Sequence, residues 1–485
     1  MKDDVDSTFT ALREHIDGVL EMPAAATIRR RGERWARRRA TTAAALCVVL
    51  AGVGVAVGHD RLDRRGPKVP SAPRPQVSEL SLVGSAIDLP DVAGPVHVVS
   101  TESLAVAAWT GSGGTTHIIG VDPRTGQEAW PMRTLTGRGS LGAADVVDGA
   151  VLLTMGRQPG RLVELDPADG YSSWQILSEQ EDYRIHLRDR LIVMSASTGV
   201  TRAVDWPTGH VLWEVPAGSD PPVRMRAVPS GPDPQLSGWP TPDTSSGERF
   251  LQLTESGKVL VRDSRTGAVQ RTVSNLGTAE GLVVARDHLY TPEQGSDSYR
   301  IRQANLTGPD ASSVVYTAPP GRSFLGAAPC GDNRLCVIDE APEAPPHTEL
   351  TAIDVATSRE LWRVPAPPGA ESPGSRGDRV LVNGDDGAGG VTSALYDSTG
   401  RQLLDEPDRR SMLLWNSNDT VVSLPGLHGP PQPGKAKGHV TVISAADGKA
   451  VIEGMAGDAP LTCAVTAKRL ICEDGHRLEV RSLEP

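Results

Sequence analysis

Val121-Asp-Pro-Arg-Thr-Gly-Gln-Glu-Ala-Trp130 is the stretch that decides the fold, because its Asp, Gly and Trp return along the chain at the interval of one small sheet. Asp122, Gly126 and Trp130 set the spacing Asp-x-x-x-Gly-x-x-x-Trp, and Asp166, Gly170, Trp174 and Asp205, Gly209, Trp213 repeat it in full. Asp263 with Gly267, Asp354 with Trp362, Asp397 with Gly400 and Asp447-Gly448 keep parts of it. Each copy follows a short alternating apolar run, such as His117 to Val121 or Arg161 to Leu165, so the economical reading is strand, turn, strand. An Asp carboxylate accepts hydrogen bonds from amides two or three residues on, and Gly supplies the positive φ at which the chain reverses. The Trp then ends the next strand, where a large flat side chain packs against the neighbouring unit. A residue that recurs once per repeat serves the repeat, so these Asp are read as turn formers rather than as metal ligands or acid-base groups.

Working outward, the repeats divide into nine units near 94–134, 143–178, 183–216, 222–274, 281–318, 325–365, 376–406, 411–454 and 460–482. The last has strands at Leu461–Val465, Arg469–Glu473 and Arg477–Arg481 but no outer one, while Leu80–Leu89 is a strand-like run without a repeat of its own. The natural solution is that this run completes the C-terminal unit and closes a ring, which removes the open sheet edges. The expected fold is therefore all-β: a propeller of about eight four-stranded blades closed by an N-terminal strand. Seven and nine blades are the alternatives. The reading of eight treats one weak unit as irregular, either that of Asn305-Leu-Thr-Gly308 or the insertion-bearing 222–274.

Pro221–Gly247 and Leu424–Gly438 are rich in Pro, Gly and Ser and read as surface loops with little structure of their own. Ala341–Pro346 and Pro365–Gly377 are shorter versions. If several of them fall on one face they line a recognition surface; the alternative is tolerated, functionless insertion.

The region before the repeats has a different character. Residues 4–20 carry Val5, Phe9, Leu12, Ile16, Val19 and Leu20 at helical spacing behind Asp3, Asp4 and Asp6, which suit a helix N-terminus. This predicts either a weakly structured tail or a docking helix for a cytosolic partner. Seven arginines between Arg29 and Arg39 then precede nineteen uncharged residues, Ala40 to Gly58, just enough to span a bilayer as a helix. The basic flank predicts a cytoplasmic N-terminus and an outside C-terminal part. An uncleaved anchor is favoured over a signal peptide cut after Ala56-Val-Gly58, because the leader is about forty residues long. Pro67, Pro70, Pro73 and Pro75 make a stiff linker. The domains expected are 1–39 cytosolic, 40–58 transmembrane, 59–78 linker and 79–485 extracytoplasmic propeller, placing the protein in the plasma membrane as a single-pass chain.

Composition excludes several function classes. Arg outnumbers Lys by 42 to 7, yet the net charge is −11, and beyond residue 40 it is −13, so there is no footprint for nucleic acid. The chain holds no GxSxG, HExxH or P-loop, and its eleven His are scattered. Adjacent acids such as Asp385-Asp386 and Glu181-Asp182 sit in polar, turn-like surroundings and read as solvated.

Four cysteines outside the apolar run fall into two hairpin frames. A two-residue turn at Ala467-Lys468 pairs Thr466 with Arg469 and brings Cys463 opposite Cys472 at a non-hydrogen-bonded position, where α-carbons stand roughly 4.5 Å apart. A three-residue turn at Asp332–Arg334 would place Cys330 opposite Cys336. Two disulfides suit an oxidising compartment. Zinc is the alternative, but no CxxC is present.

The recurrent Asp122/Gly126/Trp130, Asp166/Gly170/Trp174 and Asp205/Gly209/Trp213 resemble the tryptophan-docking repeat of pyrroloquinoline-quinone-type β-propellers, over roughly residues 80–485. That resemblance implies one of two branches: quinoprotein dehydrogenases using the quinone with calcium or a lanthanide, or cofactor-free propellers, such as the lipoprotein of the outer-membrane barrel assembly machine, that bind proteins. The chain lacks the adjacent Cys-Cys pair of the alcohol dehydrogenases and any matching set of metal-ligand Glu, Asn and Asp, so no cofactor and no catalytic residue is carried over. The front end is similar in layout to membrane proteins that include anti-sigma-type regulators, without their zinc-binding His and Cys pattern. The function expected is a non-catalytic, membrane-anchored scaffold or sensor that binds a protein or ligand of the cell envelope. The alternatives are a transmembrane regulator acting through residues 4–20 and a quinone-dependent oxidoreductase.

Overall fold

Each Asp-bearing turn closes the outer hairpin of a four-stranded antiparallel sheet, and the computed structural model holds nine such sheets. It describes residues 79–484 except 136–140, 148–149, 157–159, 179–181, 229–242, 246, 275–280, 309–311, 342–346, 372, 386–390, 406–410, 418, 426–436 and 459–461. The expected helix at 4–20, the span 40–58 and the linker 59–78 lie outside the described residues. Among the described residues there is no helix.

In chain order the blades span 96–135, 141–177, 183–215, 222–273, 283–317, 323–365, 373–405, 411–458 and 462–482. The expectation of eight blades is corrected to nine. The two units suspected of irregularity are complete sheets. In blade 5, Asn305 does the work of the Asp, its Oδ1 accepting from the amides of Thr307 and Gly308 at 2.8 and 2.9 Å. In blade 4 the insertion falls between the first and second strands and removes neither. First strands of successive blades touch one another, as in blades 1 and 2, 3 and 4, 5 and 6, and 9 and 1, so they form the inner ring of the propeller.

Closure is made by the N-terminal segment. Ile87–Asp88 pairs antiparallel with Arg477–Ser482 as the fourth strand of blade 9, with Ile87 opposite Leu478. The expected strand Leu80–Leu89 is broken, however. Leu82 bridges Arg481 and Glu79 bridges Met455 of blade 8, but Gly84 takes φ +76° and the chain turns aside there. The Val83 carbonyl lies against Gly126 of blade 1, only 1.5 Å from where a β-carbon would stand. The strand is bent because it must cover two blades at once.

The core runs between blades as well as within them. Val151, Leu153, Val163 and Leu165 of blade 2 pack with Val106, Ala108, Ile118 and Trp130 of blade 1, all buried. This continues around the ring, with Ala105, Ala107, Trp109 and Val121 on the blade 1 side and Ile471, Leu478 and Val480 on the blade 9 side closing the last seam. Since each apolar residue faces the next blade, burial there is lost if the ring opens.

Two insertions differ from expectation. Within Pro221–Gly247, Asp243–Ser245 forms a strand that runs parallel to Tyr183–Leu187, the first strand of blade 3, as a fifth member on its inner edge. Within Pro365–Gly377, Pro373–Arg376 is the first strand of blade 7, so only 366–372 is linker. In both cases Pro and Gly read as loop formers, but an inner strand with one open edge tolerates them.

Candidate functional site

The repeat residues assemble at the seams. In each fully repeated turn the Gly amide donates to the Asp carbonyl, at 2.8 Å for Gly126 to Asp122, Gly170 to Asp166 and Gly209 to Asp205. The Asp122, Asp166, Asp263 and Asp354 carboxylates accept from amides two residues on at 2.8–2.9 Å. A bulge follows in the fourth strand of blades 1 to 8. It re-aims the eighth residue after the Asp out of its blade and into the next.

That residue is the Trp, and its indole N–H is spent on a carbonyl of the next turn. Trp130 donates to Pro167 O at 3.2 Å, Trp174 to Trp206 O at 2.6 Å, Trp213 to Ser264 O at 3.0 Å and Trp362 to Ser398 O at 2.9 Å. In every case the acceptor is the residue after the next turn's Asp. The indoles also lie on the turn glycines: β-carbons added at Gly170, Gly209, Gly267 and Gly400 would stand 2.5–2.8 Å from Trp130, Trp174, Trp213 and Trp362. Gly is thus required twice, by φ near +70° and by a ring pressed flat on its α-carbon.

Where Trp is missing, Arg takes over in part. Arg469 Nε donates to Pro123 O at 3.2 Å across the blade 9–blade 1 seam, and Arg379 Nε to Ala445 O at 2.9 Å between blades 7 and 8. Arg334 adds a second bond to Ser398 O at 3.0 Å. All three begin the second strand of their blade.

The disulfides lie in blades 6 and 9. Cys463 stands opposite Cys472 with α-carbons 4.2 Å apart. Cys330 is joined to Cys336 at 5.7 Å, but the turn differs from the one expected. Cys330 N donates to Arg334 O and Ala328 stands opposite Cys336, so the reversal is at Gly331–Asn333 and not Asp332–Arg334. Gly331 at φ +126° and Asn333 at φ +51° place it there.

In an antiparallel meander the turns joining strands 1–2 and 3–4 open on one face, and the 2–3 loops and blade-to-blade linkers on the other. The Trp-docking turns occupy the first face. The ends of the strands that flank 342–346 of blade 6, 366–372 and 426–436 of blade 8 lie on the second. Only the last is long, with eleven residues between the second and third strands of blade 8 against three to six in the other blades, so the second face is lengthened at blade 8.

Under its edge lies a polar network that the sequence reading missed. Arg322 donates to the fully buried Asp339 at 2.7 Å and pairs with Glu349 at 2.6 Å; Tyr299 OH of blade 5 donates to Asp339 at 2.8 Å. Arg363 joins Glu349 at 3.0 Å, Glu360 at 2.7 Å and the Tyr316 hydroxyl of blade 5 at 2.8 Å. Burial alone would raise the Glu349 pKa, but the bonds from Arg322 and Arg363 hold it below the usual range. Burial pushes the Tyr299 hydroxyl far above its ordinary value. The network ties blade 5 to blade 6. Its signal in the sequence was a charge, Asp339, directly after the apolar run Leu335–Ile338 and within the same strand.

A second missed pair lies between blades 2 and 3. Arg184 donates to Thr154 at 3.2 Å and Ser178 at 3.2 Å, while Asp145 is pushed up to about 6 by burial, with Arg184 opposing the rise.

The resemblance to quinoproteins raises the quinone and its calcium, and the residues present do not fit them. Among the described residues, no three His, Cys, Asp or Glu side chains come together to hold a metal ion. Of the paired acids, Asp182 accepts from Ser178 Oγ at 3.1 Å and from the Ala196 amide at 3.1 Å. Glu181 and Asp386 lie outside the described residues.

A closed ring of sheets stitched by indole-to-carbonyl bonds defines the class, a β-propeller with docked tryptophans. Residues 114–297 match the family model described as outer membrane protein assembly factor BamB, a model of pyrroloquinoline-quinone-like repeats. Solved structures with similar folds include BamB from Moraxella catarrhalis, 14% identical, TM-score 0.42, covering 70% of this chain and 95% of that one. Dihydro-heme d1 dehydrogenase NirN is 11% identical, with TM-score 0.48 and coverage of 79% and 81%. The computationally designed Ika8 protein is 13% identical, with TM-score 0.43 and coverage of 82% and 98%. No curated protein matches in sequence. Likeness at this level concerns the fold alone.

Proposed function

We propose that this chain is a non-catalytic scaffold: a propeller held outside the plasma membrane by the span 40–58, whose loop face at blade 8 binds a protein of the cell envelope. The observation that carries the reading is the connection of eleven residues between the second and third strands of blade 8, against three to six in the other blades, on the face opposite the turns that hold the ring together. A loop freed from the closure task can vary without cost to the fold.

The test is a crosslinked pull-down from membranes with the full-length protein, a chain lacking residues 2–27, and a chain in which 426–436 is replaced by a Gly-Ser linker of equal length. The scaffold reading expects the same envelope proteins with the first two and their loss with the third. Recovery of cytosolic proteins only with the intact N-terminus would replace it by regulation through residues 4–20.

A further inference from the structure

The two disulfides differ in what can reach them. Cys330 and Cys336 are fully buried in the core shared by blades 6 and 7, closed to any thiol while the fold is intact. Cys472 is buried as well, but Cys463 is half-buried on Thr462–Val465, the inner strand of blade 9, where all four residues keep some contact with solvent. An attacking thiolate therefore has one way in among the four cysteines, at Cys463. Enclosed disulfides resist exchange, whereas exposed ones are the labile kind.

The reachable bond also lies beside the closure of the ring. Blade 9 is completed by only Ile87 and Asp88, and the rest of its hold on blade 1 comes from the hairpin that Cys463 and Cys472 join. On the inner strand, Ala464 packs into the core that Val96 and Val98 share with Ile471. At the turn, the Ala467 amide donates to Glu102 of blade 1 at 2.8 Å, and Arg469 of the second strand donates to Pro123 O. The hairpin ladder pairs four residues with four, so it stays formed when the sulfur bond opens. Its inner strand is then freer to part from blade 1.

We propose that Cys463–Cys472 is a reversible redox bond that sets how firmly the ring is closed, through exchange with a dithiol reductant, while Cys330–Cys336 is permanent. The attacking thiolate bonds to Cys463 Sγ as the bond from there to Cys472 Sγ breaks; the electron pair leaves on Cys472, which takes up a proton. The reductant's second thiol then displaces Cys463 as its thiolate, which is protonated in turn. The protein gains two electrons and two protons, and the dithiol becomes a disulfide. This bond acts on the ring whatever the loop face at blade 8 binds.

Graded reduction of the full-length, folded protein with dithiothreitol tests it, with samples quenched in acid, alkylated after unfolding and mapped by peptide mass. Cys463 and Cys472 are expected to be freed at least about tenfold faster than Cys330 and Cys336. With glutathione in place of dithiothreitol, the mixed disulfide is expected on Cys463 and not on Cys472. Hydrogen exchange in the reduced protein should quicken in Thr462–Val465 and Val96–Ser100, stay unchanged in Val391–Tyr396 of blade 7, and return to its starting level on reoxidation. The protein carrying both Cys463→Ser and Cys472→Ser should show the quickened pattern without reductant. Equal rates for the two pairs, glutathione on Cys472, or exchange unaltered by reduction would overturn the proposal.

Discussion

The reading that the turn glycine exists for the neighbour's indole is testable by a double-mutant cycle on Gly209 and Trp174. Gly209 holds φ +70°, and a β-carbon there would stand 2.5 Å from Cβ and Cγ of Trp174. The left-handed backbone costs an Ala about 1 kcal/mol or a little more, and the overlap forces a shift worth about 1–3 kcal/mol. Gly209→Ala alone should therefore cost about 2–4 kcal/mol. Trp174→Ala removes a 7%-exposed indole and its 2.6 Å bond to Trp206 O, a loss of about 3–5 kcal/mol. With the indole gone, Gly209→Ala should cost only the backbone strain, so the two losses fall short of additive by about 1–3 kcal/mol. Urea unfolding followed by far-ultraviolet circular dichroism measures all four proteins without relying on Trp fluorescence. Strict additivity would refute the reasoning and leave φ as the only demand for glycine.

The other predictions concern closure, charge and covalent links. Leu80 is buried against Leu424 and Val440 of blade 8 and presses on Gly454; Leu80→Asp should cost at least about 3 kcal/mol, and hydrogen exchange should show protection lost first in Arg477–Ser482. Asp145 is pushed up to about 6, so the folded state holds a proton that the unfolded chain releases near its ordinary value; stability is fullest below about pH 4 and is lost as pH rises through 6. Asp145→Asn should therefore gain about 1–3 kcal/mol over the wild type at pH 7.5 and nothing at pH 4, and an equal difference at both pH values would sink that assignment. Replacing Cys463 and Cys472 together by Ser should cost about 2–3 kcal/mol, and non-reducing peptide mapping should recover Cys330 with Cys336 and Cys463 with Cys472. Finally, Leu12→Asp with Ile16→Asp should leave envelope partners in a pull-down unchanged if the propeller is the working part.

Much of the architecture was legible because one turn carries so much of it. Asp122 to Trp130 displays in nine residues the carboxylate that caps the turn, the glycine that permits it and the ring that leaves the blade. The blade count was harder, because it needed Asn305 to be recognised as an Asp in function, and a carboxamide oxygen accepts from the same amides. The fifth strand at Asp243–Ser245 was hidden by Pro and Gly neighbours whose local preference is for loops; a partner strand from another blade overrode it. The network of Arg322, Asp339, Glu349 and Arg363 draws on blade 6 positions some forty residues apart plus two Tyr of blade 5, and no local pattern brings such groups together. The shifted turn at Cys330 was a matter of one residue, decided by Gly331 and Asn333, which both take positive φ.

Why the closing seam differs follows from which segment completes blade 9. Between blades made in sequence, a Trp on the fourth strand can reach the next blade's turn. Blade 9 has no fourth strand of its own, because Ile87–Asp88 supplies it, and that segment is followed directly by blade 1. The closing seam must therefore be made without the Trp, and it is made with two substitutes: the Val83 carbonyl lying on Gly126 where a ring would lie, and Arg469 donating to Pro123 O where an indole would donate. Gly126 keeps its place although no Trp faces it, because a backbone carbonyl needs the same flat surface. The ring is thus closed by reproducing, from different groups, the two contacts that the repeat makes with one side chain.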